Sequence, residues 1–123
     1  MKEQLLDIET QDDIKLLVDS FYKRVNDDEL LGPVFNNVAK VNWEKHLPKM
    51  YQFWGTQLIG TMDYVGAPFP PHAKLPITKK HFDRWLSLFI INVDMHFSGA
   101  TANVAKQKAK NIAKVFQLKL AET

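Results

Sequence analysis

A chain of 123 residues with 46% hydrophobic and 24% charged residues has the balance of a folded globule with one core, which excludes disorder as its main state. Its formal net charge of +2 is small and dispersed, so composition gives no footing for nucleic acid. Cysteine is absent, which excludes disulfides, iron–sulfur clusters, thiolate zinc sites and cysteine nucleophiles, and fits a reducing compartment.

The opening MKEQLLDIETQDD lacks an apolar run of signal-peptide length, because acidic residues interrupt it early. No stretch reaches the roughly 20 uninterrupted apolar residues of a membrane span. The expectation is one cytoplasmic domain over residues 1–123, its first ten or so residues a flexible or short helical extension. No surplus apolar stripe demands a partner, so a monomer is expected. Eight Phe, three Trp and three Tyr could simply fill a core, but would also suit a pocket around a flat apolar ligand.

Thr10 followed by Asp13 resembles a capping box with Asp in place of Glu or Gln. Ile14, Leu17, Val18, Phe21, Tyr22 and Val25 then form one apolar helical stripe, and Asn26-Asp27-Asp28 ends it. LLGPVFNN (30–37) reads as a short turn-rich segment, since Gly32-Pro33 prevents a long regular helix. A second long helix is predicted from about Asn42–Glu44 to Ile59, with Leu47, Met50, Phe53, Trp54 and Leu58 apolar. Pro48 lacks a backbone donor and fits best in that helix's first turn, which puts His46 near its entrance.

Residues 60–76 form a long connection with prolines at 68, 70, 71 and 76, and a connection of that length usually has a job. Thr78 offers an N-cap to a helix carrying Phe82, Trp85, Leu86, Phe89, Ile90 and Val93. Ser98-Gly99 breaks it, and a last helix spans about Ala102 to Leu120, with Ala105, Ala109, Ile112, Phe116 and Leu120 on one face. No period-two alternation stands out, so the predicted class is all-α.

Four histidines are candidates for chemistry. His46, His72, His81 and His96 show no HExxH or other close ligand spacing, although a zinc site built from scattered His and Asp/Glu stays open. His81 falls on the polar flank of its helix beside Lys79 and Lys80, and reads as a solvated surface residue. His96 lies near a helix end, where an imidazolium suits the negative end of the dipole. His72 differs, because Pro70, Pro71 and Pro76 stiffen the backbone around it. That would hold a metal-ligating ring in one direction, yet spacing alone still favours an ordinary loop histidine.

NWEKHLPKMYQFW (42–54) followed by HAKLPITKKHFDRWLSLF (72–89) closely resembles the group III truncated haemoglobins. SFYKRV (20–25) and LLGPVFNN (30–37) resemble the same family's preceding segment, and the likeness runs from about residue 10 to residue 120. The resemblance implies a truncated globin-like 2-on-2 helical sandwich enclosing one haem b. It places the proximal iron ligand at His72, 13 residues before Trp85, the interval the family shows.

On the opposite face, the family's distal positions fall on Tyr22, His46 and Trp85. Phe21, Phe53 and Trp54 are the apolar residues expected around the cofactor, with Lys49 and Arg84 available for its propionates. Tyr22 and Trp85 also sit on apolar stripes, so plain core packing is the alternative for both. Each pairs a large apolar body with one donor, and each could stabilise bound oxygen. A hydrogen bond to a charged group contributes about 1.5–3 kcal/mol, enough to slow oxygen release roughly 10- to 150-fold.

Such slow release suits redox turnover better than transport. The expected function is binding of dioxygen, nitric oxide and carbon monoxide, with nitric oxide dioxygenation or a peroxidase-like reaction supplied by an external reductase or other electron donor. The alternatives are a non-catalytic sensor or store, and a haem-free helical interaction module.

Overall fold

The computed structural model describes residues 5–34, 36, 43–60 and 78–121. The helices are α1 (Gln11–Asp27), the single turn α2 (Leu31–Pro33), α3 (Trp43–Leu58), α4 (Lys79–His96) and α5 (Ala100–Ala121), and the described residues hold no strand. The connection from 61 to 77, including His72, and the side chains of Phe116 and Leu120 lie outside the described residues.

Each long helix forms where its stripe and caps say it should. Thr10 Oγ1 accepts the Asp13 N–H at 3.2 Å, and the Asp13 carboxylate accepts the Thr10 N–H at 3.0 Å, so the expected capping box starts α1. All six predicted stripe residues of α1 are buried. Pro48 departs from expectation: it sits inside α3, in the second turn rather than the first. Starting the helix by Trp43 brings that indole onto α1, and this packing outweighs the backbone bond Pro48 cannot make. The chain leaves α3 through Gly60, at φ 64, whose N–H closes onto the Gly55 carbonyl at 2.8 Å.

The helices stack two on two. α1 packs across α3, α4 packs across α5, and α1 also lies against α4. The core is one cluster, with the α1 stripe at its centre, Met50 and Trp54 from α3, and Phe89 and Val93 from α4. From α5 come Ala102, Ala105 and Ala109, small residues that let α4 approach closely. Among the described residues no helix is long and apolar enough to cross a membrane.

Residues 5–10 are not helical, and they are pinned rather than loose. The Thr101 and Ala102 N–H groups donate to the Asp7 carboxylate at 2.9 and 2.8 Å, capping the first turn of α5, and the Ser98 N–H donates to the Leu6 carbonyl at 3.0 Å. Ile8, beside this cap, is 1% exposed. Burial pushes the Asp7 carboxyl up, but the Thr101, Ala102 and Ile8 N–H groups outweigh that and hold it below its ordinary range. Gly99 has φ 143, and a Cβ there would stand 2.5 Å from Asp7 Cγ. Asp7→Ala should therefore cost about 1 kcal/mol in urea unfolding. Gly99→Ala should cost more, since it strains the backbone and displaces the same cap.

At the other end of α1, Gly32 lets α2 fold back, since a Cβ there would meet the Asn26 carbonyl oxygen at 2.6 Å. Asp28 ties this corner together. Its carboxylate accepts N–H bonds from Leu30 and Leu31 at 3.1 and 3.0 Å, and from Arg84 Nε of α4 at 2.7 Å. One residue further along α4 is Trp85, so this corner also helps to set the site.

Candidate distal site

The apolar stripe of α1 ends its middle turns in two rings, Phe21 and Tyr22, which point to different neighbours. Phe21 meets Trp85 edge-on at 5.6 Å and 87°, and Phe89 edge-on at 5.1 Å. Tyr22 meets His46 edge-on at 5.4 Å and Trp43 at 5.3 Å, and lies 5.0 Å from Phe21. Trp85 stacks on Phe89 at 5.7 Å and 16°, and Phe89 stacks in turn on Trp54 at 4.9 Å, with Phe53 edge-on to Trp54 at 5.2 Å. One aromatic chain therefore links His46, Tyr22, Phe21, Trp85, Phe89, Trp54 and Phe53 across α1, α3 and α4. Offset and edge-on pairs of this kind add about 0.5–1.5 kcal/mol each beyond the area they bury.

Within that chain, four side chains carry a proton donor or acceptor: Tyr22, His46, Trp85 and the buried Trp54. Tyr22 is buried, and desolvation pushes its hydroxyl above the usual phenol range, which favours the neutral O–H. His46 is half-buried with its Nε2 closed off from solvent. Trp85 and Phe53 are half-buried although both pack on the core. Large rings that pack on a core while keeping one side uncovered suit a flat apolar guest.

The remaining candidates fall elsewhere. Lys49 is exposed on α3. Arg84, half-exposed, is engaged with Asp28 through Nε. His81 is not a plain solvated surface residue: its Nδ1 accepts the Thr78 N–H at 3.1 Å, so it caps the start of α4 with Nε2 as the protonated nitrogen. His96 is half-buried in the last turn of α4, its ring 6.3 Å from that of Phe97. Among the described residues no three of His, Asp and Glu group to hold a metal ion.

Two residues that sequence reasoning passed over stand beside the site. Trp43 packs on Tyr22 and, edge-on at 5.6 Å, on His46, and its Nε1–H donates to Asn36 Oδ1 at 2.9 Å. The i, i+3 spacing of Trp43 and His46 on one helix was a readable signal for the first. Asn36 lies just past α2, where no apolar stripe of the sequence points to it. Outside them, a solvent-open cleft of about 390 Å³ runs between α1 and α3, with Asp19, Lys23, Leu47 and Tyr51 in its walls. Tyr51 donates its hydroxyl to Asp19. Its own phenol is pushed up to about 12, by burial first and by that carboxylate second.

Comparison with known proteins agrees with this architecture. Residues 7–121 match the bacterial-like globin family. A group 3 truncated haemoglobin of Campylobacter jejuni is 36% identical over 111 residues, covering 87% of each chain. The crystal structure of a group III truncated haemoglobin from Campylobacter jejuni superposes with a TM-score of 0.85 at 34% identity, over 95% of both chains. An all-α two-on-two stack with these relatives defines a globin. The chain belongs to the bacterial-like globin family, among its group III truncated haemoglobins. Haem-based binding of diatomic gases comes with that membership.

Proposed function

We propose that this globin holds haem b and performs redox chemistry on the diatomic ligand it binds, such as nitric oxide dioxygenation or a peroxidase-like reaction, with electrons from a separate reductase. The observation that carries the reading is the aromatic chain, which brings Tyr22, His46 and Trp85 into one mostly apolar cluster. Haem would supply an iron centre that binds the gas and exchanges electrons, with His72 as its protein ligand. The partly uncovered rings of Phe53 and Trp85, with Phe21 and Trp54 behind them, fit a planar apolar macrocycle.

In this reading the protein's own groups do four things. Tyr22 keeps its proton and offers it as a hydrogen bond to a partially negative ligand atom. Trp85 offers the indole N–H from α4, on the far side of Phe21. Phe21 and Phe89 exclude water, so each hydrogen bond acts in a medium of low polarity. His46, half-buried near the start of α3, controls access by swinging between pocket and solvent. Of the two propionate candidates, Lys49 suits the role better, because Asp28 already engages Arg84.

Mixing the oxygen-saturated ferrous protein with nitric oxide in a single turnover tests the reading. Conversion to ferric protein and nitrate within the mixing time is the expected result. Slow conversion with intact oxygen binding would favour a store or sensor instead. A His72→Ala variant should lose the absorption signature of histidine-ligated ferrous haem, and an unaltered spectrum would remove His72 from the scheme.

A further inference from the structure

We propose that Trp43 is a positioning residue of this site: held by Asn36, its indole fixes the rings of Tyr22 and His46. The inference rests on the reading that Tyr22 and His46 face the bound ligand, and it names what keeps them there. Trp43 touches both rings at once, at 5.3 and 5.6 Å between centroids. Tyr22 and Trp43 both line the cleft, so the two rings share part of its wall.

A ring packed on one side and open to a cleft on the other needs something to stop it turning. Here the indole N–H donates to Asn36 Oδ1 at 2.9 Å, and the amide nitrogen of Asn36 donates to Asn26 Oδ1 at 2.7 Å and to the Gly32 carbonyl at 3.0 Å. Those partners belong to the end of α1 and to α2, and Gly32 is the residue whose lack of a Cβ lets these two meet. The latch thus ties the start of α3 to the α1–α2 corner. An Asn accepting through oxygen and donating twice through nitrogen has a fixed amide orientation, so it presents one acceptor in one direction. The Trp43 indole is thereby held against Tyr22 of α1, and His46 packs on the same two rings.

Two substitutions loosen the latch from opposite ends. Trp43→Phe keeps an aromatic ring against Tyr22 and removes the N–H. Asn36→Ala keeps the indole and removes its acceptor. In the haem-loaded protein, each should split or broaden the infrared C–O stretching band of the carbonyl form, which reports the polar groups around the ligand and is indifferent to overall stability. Each should also change the oxygen release rate roughly two- to tenfold, the worth of one ordinary hydrogen bond. The double variant should go no further than either single one, because both remove the same contact.

Unchanged bands and rates in both single variants overturn the proposal, and so do fully additive effects in the double. Tyr22→Phe serves as the control. If it shifts the band while the latch variants do not, only Trp43 loses its role; if it leaves the band untouched, the reading beneath it fails as well.

Discussion

Trp85→Phe is expected to speed oxygen release from the reduced protein roughly 10- to 150-fold, the effect of losing one hydrogen bond to a charged acceptor. The substitution isolates that bond because the ring's surroundings accept phenylalanine. Trp85 lies flat on Phe89 at 16° and meets the edge of Phe21 at 87°, and a benzyl ring can make both contacts. What disappears is the indole N–H and a modest volume at a half-buried position, so the stability loss should stay near about 1 kcal/mol. Stopped-flow displacement of oxygen by carbon monoxide gives the rate, and the unfolding midpoint gives the stability. An unchanged release rate at unchanged stability would assign Trp85 to packing, the alternative its place on an apolar stripe already offers.

The second large effect concerns the fold rather than the ligand. Asp28→Ala should lower stability by about 2–3 kcal/mol, since it removes two backbone caps and the partner of Arg84 at once. The Asp28 side chain is only 3% exposed, whereas that of Arg84 is 52% exposed, so the ion pair itself is screened and the caps carry the larger share. Burial alone would push the Asp28 carboxyl up. The N–H groups of Leu31 and Leu30 and the Arg84 guanidinium outweigh it and hold the carboxyl below its ordinary value.

The sign of the resulting pH dependence follows from that lowering. Folded Asp28 binds its proton more weakly than unfolded Asp28, so its contribution is complete above the unfolded value of about 3.8 and disappears as pH falls through the folded one. Urea midpoints should be level near neutrality and decline in acid. The decline should be shallower in Asp28→Asn, and an equally steep one would place the acid sensitivity elsewhere, with Asp7 the next carboxylate to test.

Helix stripes carried most of the architecture into plain view. A residue such as Leu17 or Val18 must be apolar to be buried, so the α1 face is written directly in the order of residue types. The Thr10 and Asp13 cap was equally legible, because both partners lie within one turn. The placement of Pro48 was not, since its tolerance inside α3 depends on what Trp43 gains from packing on another helix. His81 misled for a related reason. A polar residue on a polar flank looks solvated, and nothing in its neighbours' identities announces that Nδ1 will meet the Thr78 N–H. Within the candidate site, Tyr22, His46 and Trp85 were named through resemblance to a family, while Asn36 needed coordinates. A polar side chain that belongs to no apolar stripe leaves no periodic trace.

Asn92 gives the α1–α4 contact a rotational lock. Fully buried, it donates to the Leu17 carbonyl at 3.2 Å and to Ser20 Oγ at 3.0 Å, and it accepts from Arg24 Nε at 3.0 Å. Seven residues separate it from Trp85, two helical turns, so both project from nearly the same side of α4. A purely oily seam would tolerate several angular settings of that cylinder, whereas three directional bonds at one amide accept a single setting. The azimuth of the indole is therefore keyed two turns away, and an apolar isostere at 92 would leave a protein that folds yet points Trp85 in more than one direction.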